Sequence, residues 1–182
     1  MGSTTTTSMR STDGLRLLRV PRSGFRVLEI LLLTSCSPAT TRPDFFPYPE
    51  ARKELLDARR ERVVPALVEF ITTDSLKIKL ASVLDGYVET EWYDMQRHRS
   101  YPHTSAVPDL AHTIKLRCWV DPYVPGQSIL TVEAVYRPRD DPSRIERELE
   151  VPLAQDQPGY QYVEAVLNRA RERFGLRKTQ GD

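Results

Sequence analysis

The strongest constraint on this chain is an unbroken alternation over residues 112–120. Ile114, Leu116, Cys118 and Val120 fall on one side, and Lys115, Arg117 and Trp119 on the other. Successive side chains of a strand point to opposite faces, so the run reads as a strand with one apolar face. Cys118 lies on that face and reads as a small buried thiol. A second strand is expected over residues 128–137, with Leu130, Val132, Ala134 and Tyr136 inward. Between the two, Asp121-Pro122-Tyr123-Val124-Pro125-Gly126 is a turn cluster, and so short a connection favours antiparallel neighbours. The apolar face needs a cover, and the C-terminal region supplies one. After Pro158-Gly159, residues Val163, Val166, Leu167, Ala170 and Phe174 form a stripe at helical spacing, and Gly175 closes it. Arg169, Arg171 and Arg173 crowd its last turns, where the helix dipole favours cations. The expected fold is α+β: an antiparallel sheet of about four to five strands packed on a long C-terminal helix, in a helix-grip-like arrangement.

The other segments are less regular. Residues 50–62 are strongly charged and read as an exposed helix opening near Pro49. Residues 63–71 are rich in β-branched side chains and carry Pro65, which suggests an edge strand or one beginning after the proline. Thr73-Asp74-Ser75 offers a helix N-cap, Leu76, Leu80, Val83 and Leu84 follow at helical spacing, and Gly86 stands where a terminating glycine belongs. Ile78 is off that stripe, so a strand over residues 76–80 remains an alternative. Residues 87–93 alternate, with Val88, Thr90 and Trp92 on one face, and a long polar loop holding His98 and His103 follows. A last strand is expected over residues 145–151, where Ile145, Arg147, Leu149 and Val151 alternate with Glu146, Glu148 and Glu150.

The N-terminal region reads as an address. Residues 1–14 are rich in Ser and Thr, and Arg16, Arg19, Arg22 and Arg26 then precede a short apolar stretch ending at Cys36. A basic region, an apolar region and small residues before a cut site make a secretory signal. Leu33-Thr34-Ser35-Cys36 fits the lipobox that precedes the acylated cysteine of bacterial lipoproteins. Glu29 interrupts the apolar stretch, so an uncleaved anchor and a cytosolic chain stand as alternatives. The expected organisation is a signal peptide or disordered leader (1–35), lipidated Cys36 with a flexible tether (36–49), the charged helix (50–62), the α+β domain (63–176) and a disordered tail (177–182). Such a chain would meet the membrane through acylated Cys36. Ser37 stands where aspartate would signal inner-membrane retention, so the resemblance implies the outer membrane, facing the periplasm.

Little in the sequence points to catalysis. The formal net charge of +1 gives no global attraction to nucleic acid. Two cysteines, Cys36 and Cys118, form no metal-ligand pair, and His98, His103 and His112 are spaced unlike any metal template. No nucleophile elbow, phosphate loop or dinucleotide fingerprint is present, so no cofactor, metal or catalytic residue is assigned. Glu89, Glu91 and Asp94 are the candidate carboxylates for hydrolysis, with Glu89 and Glu91 about 7 Å apart if the strand is regular. Tyr87, Tyr93, Trp119 and Tyr123 are expected outside the core, as a candidate interface.

One family shares the pattern. Gly86-Tyr87-Val88-Glu89-Thr90-Glu91-Trp92, a polar loop, a basic strand, a proline turn and Ile129-Leu130-Thr131-Val132 resemble the repeated domain of BamC, over residues 63–175. BamC is the lipoprotein accessory of the outer-membrane β-barrel assembly machine. The resemblance implies a helix-grip fold, a lipidated cysteine matching Cys36, and a role as a non-enzymatic accessory subunit of an envelope membrane complex. A periplasmic carrier of a small hydrophobic ligand is the rival, because helix-grip sheets can hold a cavity beneath the helix.

Overall fold

A computed structural model describes residues 40–101 and 112–176. The leader, the lipobox with Cys36, His103 and the tail after residue 176 lie outside the described residues. The chain divides into units Met1–Ala39 and Thr40–Asp182, and the second holds all that follows. Its elements are β1 (Arg52–Leu56), α1 (Arg60–Thr73), β2 (Ile78–Ser82), β3 (Tyr87–Thr90), β4 (Trp92–Asp94), β5 (Arg99–Tyr101), β6 (Thr113–Pro122), β7 (Ser128–Tyr136), α2 (Glu146–Leu149), β8 (Val151–Pro152) and α3 (Tyr160–Phe174). The fold is α+β, with an antiparallel open sheet and a long C-terminal helix. The eight strands exceed the four to five expected. The main path runs β1-β7-β6-β3-β2. β8 continues the β7 edge beyond β1, and β4 and β5 extend the other side.

The central pair is as the alternation predicts. β6 and β7 pair antiparallel from Lys115↔Val135 to Pro122↔Ser128. Ile114, Leu116, Cys118 and Val120 join Leu130, Val132 and Ala134 in the core, against the α3 stripe of Val163, Val166, Leu167, Ala170 and Phe174. Burial pushes the Cys118 thiol up to about 12, with Glu133 adding to the shift, so this is an inert packing group.

Elsewhere local propensity misleads. Residues 63–71 are not a strand but the body of α1, which supplies a second helix to the core. Val63, Val64, Leu67, Phe70 and Ile71 recur at helical spacing, and tertiary burial of that face overrides their β preference. Pro65 is tolerated on the exposed side, where water can reach the carbonyl it leaves without a partner. Thr73-Asp74-Ser75 therefore ends a helix rather than starting one: Ser75 takes a left-handed φ of 68°, and Arg169 of α3 grips Asp74 (2.7 and 2.8 Å) and the Phe70 carbonyl (2.8 Å).

The expected helix over residues 76–84 is β2, half-buried at every second residue. The helical reading would have buried Leu84, which is 74 % exposed in the β2–β3 turn. The charged helix expected over residues 50–62 is instead β1, a short turn and the start of α1. β1 pairs with β7, and its charges reach α3 through Glu54–Arg171 (2.7 Å) and Arg52–Glu164 (3.5 Å).

The strand expected over residues 87–93 is broken at Glu91. β3 pairs Tyr87↔Trp119 and Glu89↔Arg117, whereas β4 pairs Tyr93↔Ile114 and Asp94↔Thr113, one residue out of step. Glu91 is the extra residue of a bulge, its N–H donating to the Lys77 carbonyl (2.9 Å), and the Thr90 hydroxyl accepts the Leu116 N–H (3.0 Å). A one-residue slip exchanges faces. Val88 therefore shares the core with Tyr93, and Trp92 turns to the opposite side, correcting the expected Val88–Thr90–Trp92 face.

At the sheet end, Gly86 takes a φ of 64° and carries the carbonyl that accepts the Val120 N–H (2.7 Å). A Cβ there would fall well inside contact distance of the Val120 carbonyl oxygen, whereas one at Gly126 (φ 92°) would meet open space. Gly126→Ala is expected to cost about 1 kcal/mol from backbone strain alone, and Gly86→Ala about 3 kcal/mol, because the clash adds to the strain. Urea denaturation of the two variants checks the ordering.

Candidate functional site

The second face of the sheet holds the chemistry. Tyr87 and Glu89 of β3, Lys115, Arg117 and Trp119 of β6, and Thr131 and Glu133 of β7 point away from the helices, yet all are buried. Two segments cover them. One is an N-terminal strap, residues 40–51, and the other is the stretch through α2 to β8.

The strap is fixed along its length. Thr40 Oγ1 donates to Asp85 (2.9 Å), the Thr41 N–H and hydroxyl also bind Asp85, and Arg42 pairs with Asp121 (2.6 Å). The Tyr48 N–H donates to Glu133 (2.8 Å) and its hydroxyl to the Glu150 carbonyl (3.1 Å). The ring of Phe45 lies over the guanidinium groups of Arg117 (5.0 Å) and Arg147 (4.1 Å), and Tyr48 lies over Arg147 at 3.9 Å. From Thr40 onward the expected flexible tether is therefore a docked part of the domain.

Beneath the strap lies a buried ionic layer. Arg117 donates twice to Glu150, once at 2.8 Å, and reaches Glu133 at 3.3 Å. Lys115 pairs with Glu146 (2.6 Å) and lies 3.6 Å from Glu89. Glu89 also accepts from Lys79 (2.8 Å) and from the Tyr87 hydroxyl (2.6 Å). Arg147 closes the set, 3.3 Å from both Glu133 and Glu150. Four carboxylates meet four cations, so the layer is neutral as a whole.

The expected strand over residues 145–151 is replaced by α2 and β8 for the sake of this layer. One helical turn brings Glu146 and Glu150 over Lys115 and Arg117, which an extended chain at this point would not do. Trp92, moved to this face by the bulge, stacks on Lys115 (4.3 Å) and Arg137 (5.0 Å) and donates its Nε1–H to Glu146 (2.6 Å).

Electrostatics hold Glu89 and Arg117 in their charged forms. Burial alone would raise the Glu89 carboxyl, but hydrogen bonds from Lys79 and Tyr87, with the charges of Lys115 and Arg117, lower it to about 2. Burial works against Arg117 too, and Glu150 more than compensates, holding the guanidinium above its ordinary value. Burial lowers Lys115, with Glu146 opposing, and burial raises the Tyr87 phenol, with Glu89 adding to it. A carboxylate held this low is a poor general acid at neutral pH. The arrangement can cement the strap, and it exposes no nucleophile.

The expected site residues are not gathered on one surface. Tyr87 and Trp119 are fully buried with ring centroids 5.4 Å apart. Tyr93 is buried edge-on to Tyr162 at 5.5 Å, and burial followed by that neighbour raises its phenol to about 12. These three correct the expectation of an exposed aromatic face, and Tyr123 alone of the four is exposed. Glu89, Glu91 and Asp94 stand in three different settings. Glu89 is in the ionic layer, Glu91 is at the bulge, and Asp94 accepts the N–H groups of Gln96 (2.9 Å) and Arg97 (3.0 Å).

Residues Arg117, Glu133, Arg147 and Glu150 were not singled out from the sequence. The only sequence signal is the pair of cations in mid-strand at 115 and 117; that Glu133 stands opposite Arg117 emerges only with the register. Between α3 and the sheet the buried side chains form one apolar cluster. Among the described residues, a pocket of about 10 Å³, room for one water at most, opens where Val132, Ala134, Leu153, Tyr160 and Val163 meet Glu50 and Ala51, and one of about 140 Å³ lies at Met95, Ile114, Tyr136, Leu153 and Pro158. No group of three or more potential metal ligands occurs among the described residues, and no described helix is long and apolar enough to cross a membrane.

Removing one partner of a buried ion pair leaves the other charge uncompensated, at about 3–5 kcal/mol. Glu150→Gln is expected to destabilise the fold by about that much, and Arg117→Met with Glu150→Leu to recover most of it; urea melts of both variants check this. Glu89 adds a pH dependence. Its folded carboxyl is depressed, so its contribution is full above the unfolded value near 4.5 and is lost as pH falls toward 2. That contribution is on the order of 3 kcal/mol. The urea midpoint is expected to drop between pH 5 and 2, and less steeply in Glu89→Gln. A scan of protein-family models finds no match to this chain, and no curated protein matches it in sequence.

Proposed function

We propose that this protein is a lipid-anchored component of the bacterial cell envelope that acts without catalysis, as an accessory or stabilising subunit of a larger membrane complex. The observation that carries this reading is the place of Cys36. The Leu33-Thr34-Ser35-Cys36 motif ends four residues before Thr40, where the strap begins to bind the sheet. An acylated Cys36 would hold a domain already stitched to its own tether, close to the bilayer. The ionic layer supports a binding role, since its buried carboxylates and cations are engaged with one another beneath the strap.

The long C-terminal helix over an antiparallel sheet supports a helix-grip relationship and, with it, the reading as a barrel-assembly accessory. The carrier alternative would need a cavity beneath α3, where the buried side chains pack as one apolar cluster.

Mass spectrometry of the membrane-extracted protein is expected to find a mature chain beginning at diacylglyceryl-Cys36, and Cys36→Ser is expected to leave the membrane fraction. A native chain that keeps the residues before Cys36, with a bare thiol, overturns the anchor. In mild detergent the protein is expected to run within a larger assembly, and a free monomer overturns the subunit role.

A further inference from the structure

One end of the domain gathers the features that a bilayer interface accommodates. The β2–β3 and β6–β7 turns lie side by side there, because Val120, near the end of β6, donates to the Gly86 carbonyl (2.7 Å). The start of α1 joins them: Ser128 Oγ donates to the Ala58 carbonyl (2.8 Å), and a groove of about 360 Å³ runs between residues 59–61 and 122–127. Leu84 (74 % exposed), Tyr123 (59 %), Val83 and Val124 project from the two turns. Large apolar side chains concentrated on neighbouring turns mark an interaction site, and tyrosine suits the boundary between acyl chains and headgroups.

The chain also enters the fold at this end. Thr40 and Thr41 bind Asp85, next to Leu84, and Arg42 binds Asp121, two residues before Tyr123. Four residues of extended backbone reach at most about 14 Å, so Cys36 cannot lie farther than that from Thr40. Arg42 pairs with Asp121 (2.6 Å) and Arg60 with Glu61 (3.4 Å), so much of the positive charge here is already matched. Apolar contact, rather than attraction to anionic headgroups, is what this end can offer a membrane.

We propose that this end is a membrane-docking tip, which lowers Val83, Leu84, Tyr123 and Val124 into the headgroup–acyl boundary of the phospholipid bilayer that holds Cys36. The proposal rests on the anchored reading above for the position of the membrane. The tip makes a second, weak attachment beside the lipid and so sets the orientation of the domain, with the opposite end of the sheet turned away from the bilayer.

The test uses the full chain, extracted from the membranes of cells that express it and reconstituted into phosphatidylcholine vesicles with or without brominated acyl chains. Bromine quenches indole fluorescence on contact. Trp92 and Trp119 are buried and serve as an unquenched background. In Tyr123→Trp the added emission is expected to fall about twofold in brominated vesicles, as for a side chain at the acyl boundary. Leu84→Asp in the same background is expected to abolish that quenching, and high salt to leave it unchanged.

The intact mass of the same sample reads Cys36 independently. An acylated Tyr123→Trp chain whose added indole is unquenched overturns the tip and leaves the anchor standing. A bare Cys36 with the added indole quenched overturns the anchor and upholds the tip. A bare Cys36 with no quenching overturns both. Loss of quenching at high salt overturns the apolar mode of docking.

Discussion

Arg117 is a guanidinium with almost no access to water, placed in the middle of a central strand. Removing such a group from water costs several kcal/mol unless its charge and its hydrogen bonds are satisfied inside the protein. Glu150 and Glu133 accept from its Nη atoms and the ring of Phe45 covers it, while its buried Nε has no hydrogen bond and lies 3.7 Å from Glu89. The other features of the second face follow from that requirement. α2 turns where the sequence pattern suggests an extended chain, because Glu150 has to arrive together with Glu146. The strap crosses the sheet because an aromatic lid is needed over Arg117 and Arg147. The sheet thus has two different interiors, an apolar one under the helices and an ionic one under the strap.

The parts of the fold legible in the sequence are those in which one periodicity dominates. β6, β7 and α3 each bury a regular face, and their side chains announce it. α1 is hidden because Val63 and Val64 have strand preferences and Pro65 argues against a helix interior, although the burial face of residues 63–71 is helical. β2 is hidden by the reverse coincidence, in which Leu80, Val83 and Leu84 imitate a helical stripe while two of the three face solvent. The bulge at Glu91 leaves no mark in the pattern before it, and its effect is a silent exchange of Trp92 and Tyr93 between faces.

The ionic layer is illegible for another reason. Its members come from β2, β3, β6, β7 and the α2 region, and they meet only once strand register is known. A lysine and an arginine in mid-strand read equally well as a solvated face. The aromatic residues mislead in the same way: Tyr87 and Trp119 are on the face opposite the helices, as their alternation says, but that face is itself covered. Tyr123, in a turn that the strap borders without covering, keeps the exposure that position implies.

The strap also governs the order in which the molecule can be completed. Its partners lie far along the chain: Asp85 is 44 residues from Thr41, Asp121 is 79 from Arg42, Glu133 is 85 from Tyr48, and the Glu150 carbonyl is 102 from the Tyr48 hydroxyl. Synthesis delivers the strap first and its last partner only after most of the domain exists. Closing so large a loop is slow compared with forming the β6–β7 hairpin, whose contacts are local. Seating of the strap therefore follows formation of that hairpin, and until it occurs Arg117 and its carboxylates stand hydrated. A half-made domain keeps a wet, charged flank in place of a sticky one, which protects it from association with its neighbours while it waits for its own first residues to return.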